Sequence, residues 1–259
     1  MFGLLSFAGR VFRLSILLAG SAFQLQAQRI PILVYHRFSP DISAETTIRT
    51  SRFEAHLRWL ASHNIRIVPL HQAVAMLCAG QPERRSFAVL TVDDGHRSVY
   101  SELFPILQRN HIPVTLFLYP SAISNASYAL TWQQLRQMQR SGLVDVQSHT
   151  LWHPDFRREK ARLSDGAYRA FVAKQLNRSR AILEQQLGAP VDLLAWPFGI
   201  ADAALEDAAR QAGYKAAFLY SGGAARPGVS CFALARIPVP PNASDAWFEQ
   251  IFGKEVHTP

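Results

Sequence analysis

Leu90-Thr91-Val92-Asp93-Asp94-Gly95-His96-Arg97 is the stretch that decides how this chain folds. An apolar run from Phe87 to Val92 stops at two adjacent carboxylates and a glycine, which reads as a buried strand delivering two acids to the rim of a core. An Asp-Gly pair also suits an ordinary turn, because both residues tolerate turn backbone and Asp bonds to it locally. Uncompensated charge is costly to bury, so the alternative is that a metal, a substrate or a base is positioned at this rim. The other segments decide between the two.

Upstream, Ile30 to Tyr35 is an apolar strand that stops at His36-Arg37, with Pro31 tolerated at its beginning. Ser51 with Glu54 predicts a capping box before a helix carrying Phe53, Leu57 and Leu60 on one face. Strand Arg66 to Val68 and a short helix around Val74 to Cys78 follow. Downstream come a helix over Ser98 to Asn110, strand Val114 to Leu118, a helix from Thr131 to Ser141 stopped by Gly142, and strand Leu143 to Ser148. Ser164 caps a long helix that Gly188 ends. Strand Leu193 to Trp196, helix Asp202 to Ala212, strand Ala216 to Leu219 and strand Phe232 to Ile237 complete the series.

This alternation predicts an α/β fold with a largely parallel sheet. His36, Asp93-Asp94, His149 and Pro197-Phe198 all stand at the C-terminal ends of predicted strands, where a barrel gathers its reactive groups from several loops. An open doubly wound sheet would use one switch point, typically with a Gly-rich phosphate turn, and the sequence has no such turn. The expectation is a single domain folded as a (β/α) barrel of TIM type, complete or distorted, with about seven or eight strands.

Composition sets the outer bounds. An apolar fraction of 49% with 18% charged residues suits a folded core and excludes general disorder. Arg10 and Arg13 precede an apolar run from Leu14 to Phe23, and Leu25-Gln26-Ala27 offers a small-residue cleavage site. That run falls short of the roughly 20 residues that span a bilayer. Residues 1–27 therefore read as a secretory signal peptide before a domain over 28–259, with an uncleaved N-terminal anchor as the alternative. The protein is expected to be secreted or periplasmic, without stable membrane insertion once the leader is removed. The formal charge is +8, and loss of two leader arginines leaves a basic chain. No basic helix is interleaved with aromatics, which argues against nucleic acid as a partner. Cys78 and Cys231 are compatible with two separate buried thiols or with a disulfide.

A second group of residues bears on the chemistry: Ser148-His149-Thr150-Leu151-Trp152-His153-Pro154. Pro154 biases His153 away from helix, placing the two histidines on a strand end and the loop after it. Two imidazoles and a carboxylate with an open coordination position describe a catalytic divalent site, usually zinc. Only one of the two adjacent acids is needed as a ligand, which leaves the other free to accept a proton. Tyr119, Trp152, Trp196 and Phe198 fall near the same rim as candidate sugar-packing rings, and His96 and Arg97 as candidate cleft residues.

Thr91-Val92-Asp93-Asp94-Gly95, His149-Thr150-Leu151-Trp152-His153 and Trp196-Pro197-Phe198-Gly199 resemble, in order, three motifs of the NodB-like polysaccharide deacetylases, carbohydrate esterase family four. The resemblance spans roughly Ile30 to Val239. It implies a distorted barrel that removes acetyl groups from N-acetylated polysaccharide with a divalent metal, zinc before cobalt or nickel. It further implies Asp94, His149 and His153 as ligands, Asp93 as the base that activates water, and the Phe198 N–H as an oxyanion donor beside the metal.

Two departures stand out. The family often has an arginine before its Pro-aromatic-Gly motif to orient the base, where this chain reads Ala195-Trp196; Arg236 on the last strand is the candidate replacement. The usual C-terminal Leu-x-x-His is missing, and Val34-Tyr35-His36 on the first strand resembles the circularly permuted subgroup acting on poly-β-1,6-N-acetylglucosamine of biofilm matrix. His36 then becomes the candidate general acid, with a strand-end packing histidine as the alternative. Competing functions are deacetylation of peptidoglycan or another N-acyl compound, and polysaccharide binding without turnover.

Overall fold

A computed structural model describes residues 29–79 and 87–253. The expected leader, residues 1–27, lies outside the described residues. The chain opens with β1 (Ile32–Tyr35), β2 (Arg37–Ser39) and β3 (Thr47–Arg49), then α1 (Thr50–Ser62), β4 (Arg66–Ile67) and α2 (Leu70–Ala79). β5 (Phe87–Asp93) leads through a π-helical turn at Val99–Leu103 into α3 (Phe104–Asn110), β6 (Val114–Leu118), α4 (Trp132–Arg140) and β7 (Val144–Ser148). α5 (Phe156–Arg162) and α6 (Asp165–Leu187) precede β8 (Leu193–Ala195), α7 (Ala203–Gln211), β9 (Ala216–Gly222), β10 (Leu234–Pro238) and α8 (Asp245–Phe252).

Parallel pairing runs β1-β10-β9-β8-β7-β6-β5, and β5 pairs back to β1 through Ile32↔Val89 to Tyr35↔Val92, so these strands close a ring. β4 adds to the first two residues of β5, giving the eight-stranded sheet of a distorted (β/α) barrel. β2 and β3 form a separate small sheet.

Strand periodicity explains how acids reach the interior. Ala88, Leu90 and Val92 face the helices and join the large outer core, whereas Phe87 and Val89 pack inside the ring with Phe117, Leu193, Phe218 and Leu234. Each such large side chain contributes roughly 1.5–3 kcal/mol on burial. Continuing the alternation puts Thr91 and Asp93 on the interior face of β5, and Arg236 two residues beyond Leu234. The C-terminal layer of the barrel is therefore polar. The opposite mouth is closed by α2, whose Leu70, Ala73, Val74 and Leu77 join the interior cluster.

Several expectations change. Ser51 does not cap α1: Arg49 holds that position without a side-chain bond, because β3 runs directly into the helix and fixes where it starts. The last strand begins at Leu234 instead of Phe232, since Ala233 N–H donates to Ser230 O in a turn. Cys78 and Cys231 are joined in a disulfide that ties the end of α2 to the loop before β10, so they are not separate thiols. Ser164 does cap α6, accepting from Ala167 N–H, and Gly188 at φ 65° ends that helix.

Candidate active site

Asp93 and Arg236 are almost completely buried, at 1% and 0% exposure. Arg236 donates Nη1 to Asp93 Oδ1 at 2.8 Å and Nη2 to Asp93 Oδ2 at 2.7 Å. Its other contacts use Nε to Leu219 O at 2.8 Å and Nη1 to Thr91 Oγ1 at 3.2 Å, while Phe117 places its ring 5.1 Å from the guanidinium carbon. A buried ion pair is tolerable when its donors are used in this way. Burial alone would raise the Asp93 carboxyl. Arg236 outweighs it, with smaller contributions from His149 and His36, and holds the carboxyl down at about 2.

His149 follows β7 and is 2% exposed. Its Nδ1 lies 2.8 Å from Ala195 O; a carbonyl only accepts, so Nδ1 carries the proton and Nε2 presents a lone pair. That Nε2 sits 3.8 Å from Asp94 Oδ1 and 3.9 Å from Asp93 Oδ2, and His153 Nε2 is 3.9 Å from Asp94 Oδ1. These gaps are too long for hydrogen bonds. Two coordination bonds of about 2.1 Å each reach across about 4 Å. Ligand atoms of Asp94, His149 and His153 all lie within 4.8 Å of one another, so the donor set and spacing fit a divalent cation. Burial lowers His149 to about 3 and also lowers His153, which keeps both rings neutral at pH 7, as ligation requires. Asp94 is raised, by burial first and by the like charge of Asp93, against the pull of His36, Arg37 and Arg236.

The backbone here is unusual. Asp94, Thr150, His153 and Phe198 have φ of 72°, 67°, 63° and 56°, four of the seven left-handed non-glycine residues among those described. Such conformations cost of order 1–3 kcal/mol each and persist where the surroundings over-determine them. Gly95 and Gly199 leave no alternative: a Cβ would meet Leu118 Cδ2 at 2.6 Å and Tyr220 N at 2.7 Å.

Other predicted residues fall around this centre. His36 leaves β1 with its ring 5.6 Å from that of Tyr220. Phe198, 59% exposed, stands edge-on to His153 at 4.6 Å, and Tyr119 lies 5.7 Å from the same imidazole. Trp152 is 44% exposed against Phe171 with Lys174 above its ring. Trp196 is not a sugar contact: it is fully buried, and its indole N–H donates to Phe232 O. His96 and Arg97 line an open cleft of about 400 Å³ with Phe38, Ser39 and Gln134. Sequence reading passed over Thr91 as an Arg236 partner, Tyr220, and two buried polar residues of α6, Gln175 and Ser179. In a sequence the last two read only as interruptions of an apolar helix face.

The rim of this barrel combines a buried Arg–Asp pair with a His-His-Asp cluster that could hold a metal ion, and the comparisons with known proteins place the chain among hydrolases of amide C–N bonds. The chain belongs to the polysaccharide deacetylase family, whose model matches residues 80–217. It is 25% identical over 210 residues to a poly-β-1,6-N-acetyl-D-glucosamine N-deacetylase of Staphylococcus aureus, covering 79% of this chain and 70% of that protein. The structure of IcaB from Ammonifex degensii superposes with a TM-score of 0.75 at 26% identity, over 86% of this chain and 97% of that one. The Streptococcus pyogenes deacetylase PplD, solved with acetate, has the same fold, with a TM-score of 0.76 at 22% identity over 87% and 98% of the two chains.

Proposed function

We propose that this protein hydrolyses N-acetyl groups from an extracellular polysaccharide, poly-β-1,6-N-acetylglucosamine or a related exopolysaccharide. The observation that carries the reading is the pair of adjacent acids in opposite settings. Asp93 is locked to Arg236, while Asp94 faces two neutral imidazoles across gaps that a cation fits. The S. aureus relative, named for that substrate, supports the choice of polymer.

Asp94, His149 and His153 would hold the ion, zinc first and cobalt or nickel as substitutes; when bound it would acidify water and polarise the acetamide carbonyl. Asp93 accepts the proton as water adds to the carbonyl carbon, with Arg236 fixing its two oxygens in the required orientation. The Phe198 N–H donates to the oxygen that gains charge. His36 protonates the nitrogen as the C–N bond breaks, so one water and one acetamide group become acetate and a free amine on the sugar. Residues 1–27 act as a leader, and the mature chain works outside the cytoplasm or in the periplasm. The Cys78–Cys231 disulfide suits that compartment, and among the described residues no helix is long and apolar enough to cross a membrane.

The test is acetate release from β-1,6-linked N-acetylglucosamine oligomers by zinc-loaded protein. Asp93→Asn should retain zinc and lose activity by about 10²–10⁴-fold. Release from peptidoglycan fragments alone would move the substrate. Oligomer binding with no acetate freed under zinc, cobalt or nickel would make the domain a binder.

A further inference from the structure

The loop carrying both histidines is held from behind by one face of α6. Gln175 and Ser179 lie one helical turn apart, both fully buried. Gln175 Oε1 accepts from Leu151 N–H at 3.1 Å and Trp152 N–H at 3.3 Å, the two amides between the strained residues Thr150 and His153. Ser179 Oγ donates to Thr150 O at 2.9 Å and lies 2.8 Å from Ser148 Oγ, which accepts from Thr150 N–H at 3.2 Å. The backbone from 150 to 152 is thus fastened at both its carbonyl and its amide groups.

The fastening has a visible cost. Two N–H donors fix the Gln175 amide with its oxygen toward the loop, and this leaves Nε2 buried with no partner. An orphaned buried donor costs about 1–3 kcal/mol. A residue serving packing alone would be better replaced by an apolar side chain of similar size. We infer that Gln175 is a positioning residue: by holding Leu151 and Trp152 it keeps His153 in its left-handed conformation facing Asp94 and His149, and so sets the affinity of the site for a divalent cation. The inference rests on the reading of Asp94, His149 and His153 as ligands.

The experiment uses the metal-free protein titrated with zinc against a competing chelator, and with cobalt(II) followed by its visible absorption. Gln175→Met keeps the length and removes the acceptor; Gln185→Met makes the same change at an exposed position of the same helix. Gln175→Met should weaken zinc about 10–100-fold and alter the cobalt spectrum, whereas Gln185→Met should stay within about threefold of the parent. A role in folding alone would lower the Tm of metal-free Gln175→Met and leave its zinc affinity and cobalt spectrum unchanged, and that result overturns the inference. So does equal weakening by Gln175→Met and Gln185→Met. If Gln175→Met does not fold, Ser179→Ala, which frees the Thr150 carbonyl, should weaken zinc in the same direction, and unchanged affinity there counts against the inference. A parent protein that binds zinc equally well with His149 and His153 replaced would instead refute the ligand assignment beneath it.

Discussion

Strand β7 carries Asp145 near its start and is followed by His149, and β8 is entered through Asp192 and left through Ala195, so the same two strands furnish both mouths of the barrel. At the N-terminal mouth the charges meet. His71 of α2 lies 2.8 Å from Asp192 and 3.5 Å from Asp145, Lys215 lies 2.8 Å from the other oxygen of Asp192, and Gln147 donates to both oxygens of Asp145. At the centre of the C-terminal mouth Asp93 meets Arg236 directly, whereas Asp94 stands 3.8–3.9 Å from the imidazoles of His149 and His153. Charges at hydrogen-bond distance cancel locally and fasten the helix that closes the barrel. Charges held slightly further apart, on strained backbone, leave room for an ion and for chemistry. One mouth is tied by short ion pairs, and the other holds a donor set spaced as a divalent cation requires.

Substitutions at and away from the two mouths test this contrast. Arg236→Met leaves Asp93 buried without its cation and should destabilise the fold by about 3–5 kcal/mol in urea, with Asp93→Asn in the same chain recovering most of the loss. Failure of the double variant to recover would mean that Arg236 acts through packing and not through the pair. Gly199→Ala sets a Cβ 2.7 Å from Tyr220 N at φ 66° and should cost about 2–3 kcal/mol together with most of the activity. Gly188→Ala, at a similar φ with nothing within 4 Å, should cost only about 1 kcal/mol and no activity. Equal costs would remove steric crowding as a distinction of the catalytic rim.

The smallest effect belongs to the other mouth. His71 is raised from 6.5 to about 9, first by its bond to Asp145 and then, against burial, by Asp192. A raised histidine stabilises fully below about pH 6.5, progressively less above it, and not at all once the pH passes about 9. The side chain is 46% exposed, so His71→Gln should cost less than about 1 kcal/mol at pH 6. The deficit should vanish by pH 9.5, and a deficit independent of pH would sink the titration account. Asp192, lowered by Lys215 and His71 despite burial, stays ionised throughout that window and adds no slope.

The barrel was legible because most strands of the ring are short apolar runs ending at punctuation, and Phe87 to Asp93 stated both the strand and its polar end. Arg236 was also within reach, since an arginine inside an otherwise apolar strand needs a buried acid. Elsewhere the signals were absent. α5 has the sequence FRREKAR, with one large apolar residue and no periodicity, and is held by the Asp155 cap and by Phe156. α8 packs on α1 through Phe248 and Phe252, a tertiary arrangement that no local pattern announces. Trp196 looked like a rim aromatic because it adjoins Pro197-Phe198, but alternation turns it toward the helices, where it packs on Phe156, and Phe198 is left exposed. Gln175 is separated from the histidine loop by more than twenty residues, so its partners exist only in three dimensions.

The first and last strands of the ring are neighbours: Leu33 pairs with Ile237 and Val34 with Pro238. That seam lies beside His36 on one side and Arg236 on the other, so the proposed proton donor and the guanidinium that steadies the base come together only as the cylinder is zipped shut. Without β10, Asp93 would have no guanidinium partner. An opening along this one line would therefore separate Arg236 from Asp93 and displace His36 at the same moment.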